Sequence, residues 1–273
     1  MKWQILKFRG VPIGSHGLTV LMLFGFSSTV YSDPLIVELL IPDAPPLTFA
    51  HNVNGHGIVG DIVLTSIAKA GYIVDLKVLP WARAQRQVSK KQDILIAPLS
   101  RTPEREHQFT WIAPIMSMER AFFSLEHKVN SFEEAKKTYH LIGVGLGSAQ
   151  EEILRSQGFS NEQIYQLGIG DQPAQMLLRG RIDAWFNGIP ESQYIWSEVS
   201  HRELLMSPVM SEVNLYLACS KKCSALMVKQ LSDAIESVHD DGVVERLREF
   251  YLVHQPIRKE LHSSQRDIKN FHR

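Results

Sequence analysis

The stretch DILIAPLSRTPERE, Asp93–Glu106, decides how the chain is read. Asp93 to Leu99 form a short apolar run behind a polar, helix-like segment, the pattern of a parallel strand covered on both faces. Ser100, Arg101, Thr102 and Arg105 come directly after it. In open parallel α/β sheets ligands sit at the carboxyl ends of strands. An arginine here is therefore either a ligand anchor or one member of a solvated charge run, paired with Glu104 or Glu106. Its planar fork of donors, charged at any physiological pH, matches a carboxylate.

Outward from this point, short apolar runs alternate with amphipathic segments, which predicts an α/β fold rather than a bundle or sandwich. Leu35–Pro42, Tyr72–Pro80, Leu141–Gly147, Ile164–Gly170, Arg181–Phe186 and Glu212–Ser220 read as further strands. Ile58, Ile62, Val63 and Ile67 keep helical spacing, as do Leu226, Leu231, Ile235 and Val238, and both stripes are expected in the core. The alternation breaks at Met116–Lys128, which runs on without a helix until Ser131 and Glu134 offer a capping box. That break predicts a crossover into a second lobe, with the chain returning at Glu212. The expected division is 1–32 a signal peptide, 33–117 plus 213–254 one lobe, 118–212 the other, and 255–273 a polar tail.

The signal reading rests on Lys2, Lys7 and Arg9, followed by the apolar run Leu18–Phe26, which is too short to span a bilayer. Val30 and Ser32 are small residues ahead of a cut before Asp33; an uncleaved anchor is the alternative. The chain carries 29 Lys+Arg and 29 Asp+Glu, and removal of the leader takes three basic residues and no acidic one, leaving 26 against 29. A slightly acidic chain without a clustered basic excess is not expected to bind nucleic acid. Cys219 and Cys223 are the only cysteines. A disulfide between them is expected over two free thiols in an oxidising compartment, and their spacing is a weak zinc signal without a companion pair. His51 and His56 likewise lack further ligands nearby, so neither a metal nor a cofactor is expected. Gly143, Gly145 and Gly147 alternate strictly and fail the G-x-G-x-x-G spacing of a dinucleotide site.

Taken in order, PPLTF, GIVGDIVLTSIAKAGY, LPWARA, SRTPERE with FTWIAPI, IGVGLGSAQE and LLRGRIDAWFNG resemble the bacterial extracytoplasmic solute-binding proteins that include polar amino-acid-binding members. The resemblance covers nearly all of the chain beyond the leader. It implies a two-lobed clamshell of the type II periplasmic binding protein kind, each lobe a mostly parallel sheet flanked by helices, joined by two hinge crossings around Ser117–Arg120 and Ser211–Asn214. Arg105 then matches the residue that holds a ligand carboxylate, with Ser100 and Thr102 adding contacts. Ser148, Ala149 and Gln150, at a helix start suited to an anion, match the opposing lobe's contribution. Phe49 and Trp81 match cleft walls, whereas Trp185 reads as core. The resemblance also implies an aspartate for an α-ammonium shortly after the GRIDA strand, and counting places Gly188 there, with Asn187 before it. The sequence leaves open whether Arg83, Arg101 and Glu191 face the cleft.

The implied function is a monomeric periplasmic receptor that closes on a small anionic or carboxylate-bearing solute and delivers it to an inner-membrane permease of the ABC type. It would be neither an enzyme nor an integral membrane protein. Two alternatives are a sensory binding protein for a membrane signalling partner, and a dehydratase-like enzyme on the same fold, with Asp171 or Glu191 as its acid or base.

Overall fold

The structure, a computed structural model, describes residues 35–50 and 54–253. The leader, its cleavage site, His51 and the polar tail lie outside the described residues. In chain order the elements are β1 (Ile36–Ile41), α1 (Ile58–Lys69), β2 (Ile73–Val78), α2 (Trp81–Val88), β3 (Ile94–Ser100) and β4 (Phe109–Ser124). There follow α3 (Phe132–Thr138), β5 (Ile142–Gly145), α4 (Ala149–Ser156), β6 (Ile164–Leu167), α5 (Gln172–Leu178), β7 (Ala184–Gly188) and α6 (Ile189–Val199). The chain closes with β8 (Leu205–Met206), β9 (Ser211–Ser220), α7 (Ala225–Asp240) and α8 (Val243–Val253).

The strands run in the order β2-β1-β3-β9-β4-β7-β5-β6, with β8 pairing β4. β1, β2 and β3 are parallel, as are β7, β5 and β6. Between these two parallel sets lie β4 and β9, antiparallel to each other and to their outer neighbours. This is the mixed α/β, two-lobed arrangement expected of the clamshell. The two segments expected as crossings meet side by side, because Ser117 pairs with Asn214, Met118 with Val213, Glu119 with Glu212 and Arg120 with Ser211.

The core explains why the runs are apolar throughout. Leu39 and Leu95 pack with Ile58, Ile62, Val63 and Ile67 of α1, while Leu40, Ile94 and Ile96 on the opposite face pack with Trp81, Ala84 and Val88 of α2. A second core gathers Phe122, Ile142, Val144, Leu154, Phe159 and Phe186. Trp185 is buried, as a core residue should be.

Three local readings need correction. Leu226 is 65% exposed, and the neighbouring Met227 takes the buried place in the α7 stripe, four residues before Leu231 on the same helix face. The strand expected from Arg181 starts at Ala184, because the Asp183 carboxylate is engaged by the backbone N–H groups of His140 and Leu141 at 2.6 and 2.9 Å. The α3 cap is half reciprocal: Ser131 accepts from the Glu134 N–H at 3.1 Å, but the Glu134 carboxylate accepts from the backbone of Asn130 rather than Ser131.

Candidate functional site

The Ser100–Arg105 segment leaves the carboxyl end of β3 and tightens at once into a 3-10 turn over Pro103–Arg105. Pro103 at the first helical position supplies the required φ without losing a hydrogen bond, and the Arg105 N–H donates to the Thr102 carbonyl at 3.1 Å. The turn folds Arg105 inward until it is 3% exposed. Arg101 points the other way. It pairs with Glu106 at 2.8 Å and lies 5.4 Å from the ring centres of both Trp111 and Tyr216, so the surface ion pair that is the alternative reading of Arg105 is made by Arg101. Glu106 keeps its carboxyl below the ordinary range through that bond, and Arg83 is exposed on α2.

From the other lobe, β5 ends in a turn through Gly147 before α4 begins. Gly147 has φ of +72°, and a side chain there would come within 3.3 Å of the Ala82 Cβ on α2, so glycine permits both the turn and the approach of the two lobes. Its carbonyl accepts from Gln85 Nε2 at 2.7 Å and from Arg105 Nη2 at 3.1 Å. One turn into α4, Glu152 reaches back across the same gap. Arg105 Nε donates to Glu152 Oε1 at 2.8 Å, Arg105 Nη2 lies 2.8 Å from the same oxygen, and Thr102 Oγ1 donates to Glu152 Oε2 at 2.6 Å.

Ser148, Ala149 and Gln150 are buried at the start of α4, and the Ser148 hydroxyl has no hydrogen-bond partner. Gln150 Nε2 donates to Asn187 Oδ1 at 2.6 Å, and Asn187 Nδ2 to Ser192 Oγ at 3.3 Å. Ser148, Gln150 and Asn187 line a cavity of about 30 Å³ together with Glu191 and Trp185. A Cβ on Gly188 would lie 2.5 Å from Glu191 Oε2, so the Glu191 carboxylate occupies the room that a side chain at Gly188 would need. Burial pushes the Glu191 carboxyl up to about 7, against the pull of the Arg120 charge.

Arg120, on β4, is 2% exposed. Its Nη2 donates to Ser100 Oγ at 2.7 Å and its Nη1 to the Met118 carbonyl at 3.2 Å, while Nε has no partner. Burial brings this guanidinium down to about 10; Glu191 opposes that and the Arg105 charge adds to it.

Of the expected residues, the structure sets Thr102 and Arg105 against Gly147 and Glu152 across the gap, Ser100 against Arg120, and Ser148, Gln150 and Asn187 around the small cavity beside Glu191. Phe49 packs edge-on to Tyr194 at 5.9 Å and beside Tyr251 at 6.0 Å. Trp81 is buried at the head of α2 in the α2-side core, against which Ile169 of the facing lobe also packs. Cys219 and Cys223 are joined as a disulfide between β9 and α7.

Two residues were missed. Glu152 stands four after Ser148, a spacing that places both on one helix face. Arg120 sits in phase with Met118 and Phe122, the inward face of a period-two strand. Both signals lay in the sequence.

The sequence profile of bacterial extracellular solute-binding proteins, family 3, matches residues 38–254. No curated protein matches in sequence. Among solved structures, a histidine kinase sensor domain with similarity to periplasmic binding proteins superposes with a TM-score of 0.72 at 15% identity, covering 80% of this chain and 96% of that one. The arginine-, lysine-, histidine-binding protein ArtJ from the thermophilic bacterium Geobacillus stearothermophilus gives 0.70 at 14% identity, covering 79% and 94%. An ancestral amino acid-binding protein, a precursor of cyclohexadienyl dehydratase, gives 0.68 at 18% identity, covering 80% and 95%. At these identities the likeness shows a shared fold.

Proposed function

Because the chain belongs to the bacterial extracellular solute-binding proteins, family 3, we propose that it is a periplasmic receptor that closes on a small solute bearing a carboxylate or another anionic group and delivers it to an inner-membrane permease. The observation that carries this reading is Arg105, a buried cation at a strand carboxyl end, facing an α4 start from the opposite lobe. Ser100, Thr102, Ser148, Gln150 and Asn187 supply the hydroxyls and amides that would orient the solute. A closed form is favoured by the solute's differential affinity for it. Small-angle scattering with saturating solute, after a thermal-shift screen of amino acids, organic acids, polyamines and short peptides, tests this: the radius of gyration should fall. An unchanged radius at saturation argues for a rigid protein.

A sensory role is the second reading, favoured by the likeness to a histidine kinase sensor domain. Neighbouring genes discriminate, a permease and ATPase supporting transport and a membrane kinase supporting sensing. We propose no catalysis, and mass spectrometry of candidate solutes after incubation with the protein checks for turnover.

A further inference from the structure

We propose that Arg120 is a second cationic anchor of the cleft and that it takes the anionic group of the solute. This deepens the receptor reading above and rests on it. A buried guanidinium is costly unless a carboxylate or several acceptors compensate it. Arg105 is compensated by the chain itself, since Glu152 engages both its Nε and its Nη2. Arg120 is not: its two bonds go to neutral oxygens, Nε is unpartnered, and among the described residues it forms no ion pair.

Position adds to the argument. Arg120 pairs with Gly188 of β7 and with Ser211 of β9, at the place where both chain crossings meet. From there it reaches Ser100 at the end of β3, the edge of the binding loop. Gly188 offers no side chain to neutralise it, and the carboxylate whose charge opposes it is that of Glu191. Arg105 and Arg120 against Glu152 and Glu191 give a net charge of +1 when Glu191 is protonated and zero when it is ionised. A small monoanion completes the first state, with its carboxylate on the unpartnered Nε edge of Arg120.

The test is thermal denaturation of the exported chain in sodium acetate, succinate, glutamate and phosphate, each at about 20 mM, against chloride of equal ionic strength. Putrescine and glucose share the plate. At least one carboxylate should raise the melting temperature of the unmodified chain. Its apparent affinity should fall at least about thirtyfold in Arg120→Met, the lower range for truncating one member of a buried charge pair, and by less in Arg120→Lys. Without solute, Arg120→Met should melt at or above the unmodified chain, because an apolar side chain of similar volume replaces an uncompensated charge. A residue that only braces the fold would show the reverse. An anion response that persists in Arg120→Met overturns the assignment and leaves the receptor reading standing. If Arg120→Met does not fold, Arg120→Lys decides, and full retention of affinity there overturns the assignment. The absence of any anion response also overturns it, and the receptor reading then rests on whether putrescine or glucose shifts the transition.

Discussion

Arg105 Nε and Glu152 Oε1 lie 2.8 Å apart across the gap between the two lobes, with Thr102 Oγ1 on the second carboxylate oxygen at 2.6 Å. A carboxylate of the chain therefore sits where the resemblance places the carboxylate of a solute. The pair fastens the lobes together from within. A solute anion at Arg105 has to displace Glu152.

Removing that clasp should loosen the closed form. In the pair Arg105 is 3% exposed and Glu152 25%, so solvent screens it only in part. Glu152→Gln should cost about 1 to 3 kcal/mol, between the ranges for exposed and fully buried pairs. Urea denaturation reads the loss, and small-angle scattering of the solute-free protein should show a larger radius of gyration. Unchanged stability and unchanged radius together would mean that the contact has no hold on the lobes.

The two arginines of the binding loop should behave differently. Arg101 lies on the surface with Glu106, Trp111 and Tyr216, so Arg101→Ala should leave solute binding unchanged and cost less than about 1 kcal/mol of stability. Arg105→Ala should cost about 2 to 5 kcal/mol of binding. It deletes a cleft cation and also frees Glu152 to repel an incoming anion. Calorimetry on both variants decides, and equal effects would mean that the loop is not divided in this way.

Much of this was legible in the sequence, for physical reasons that differ by residue. The Asp93–Leu99 run reads as a doubly covered strand because both faces of β3 meet helices, α1 on one side and α2 on the other. Arg105 was distinguishable from Arg101 through the resemblance alone, since the charge pattern fits either side chain turning inward. What separates them is the Pro103–Arg105 turn, a backbone feature. Glu152 escaped because a glutamate in a first helical turn ordinarily answers its own helix dipole. Its partner here lies 47 residues away in sequence. The room beside Gly188 could not be seen either, because the carboxylate filling it comes from the following helix and depends on how α6 leaves β7.

Glu191 predicts a pH dependence of stability. Its carboxyl is raised to about 7 in the folded protein from an ordinary value of 4.5. Between those values the folded state holds a proton that the unfolded state has released, so stability is highest at the acid end and falls as pH rises through the window. Above about 7 this contribution is flat. Glu191→Gln, which stays neutral, should remove the decline, worth at most about 3 kcal/mol. Denaturation midpoints of both proteins from pH 5 to 8 test it, and parallel curves would show that Glu191 titrates normally.

The bond between Cys219 and Cys223 closes a short loop, so it removes little freedom from the unfolded chain. Chain-entropy reasoning gives about 2 kcal/mol for a loop of this size. The double substitution to serine should lower stability by that amount or less and leave solute affinity alone, since the bridge lies at the β9–α7 junction and away from the cleft. A change in affinity would reveal a coupling that the geometry does not contain.

The last prediction concerns which solutes the cleft refuses. Where amino-acid-binding relatives are expected to carry an aspartate for the α-ammonium, this chain has Gly188, and the carboxyl beside it belongs to Glu191. Burial favours the protonated form of that carboxyl near neutrality, and Arg120, the cation that faces it, competes for its charge when it ionises. An α-ammonium entering the closed cleft would thus meet a weak partner in Glu191, two guanidinium groups, and a Glu152 carboxylate already engaged by Arg105 and Thr102, so its desolvation is offset only by breaking those bonds. A deaminated acid would meet the same arginines and a neutral donor. Calorimetry near pH 6.5 with glutamine and with its analogue lacking the α-amino group should show the analogue binding more tightly, by on the order of 1 to 3 kcal/mol. Raising the pH to 8 should narrow the difference as Glu191 ionises. Tight binding of glutamine at the lower pH would mean that Glu191 serves as a charged ammonium partner after all.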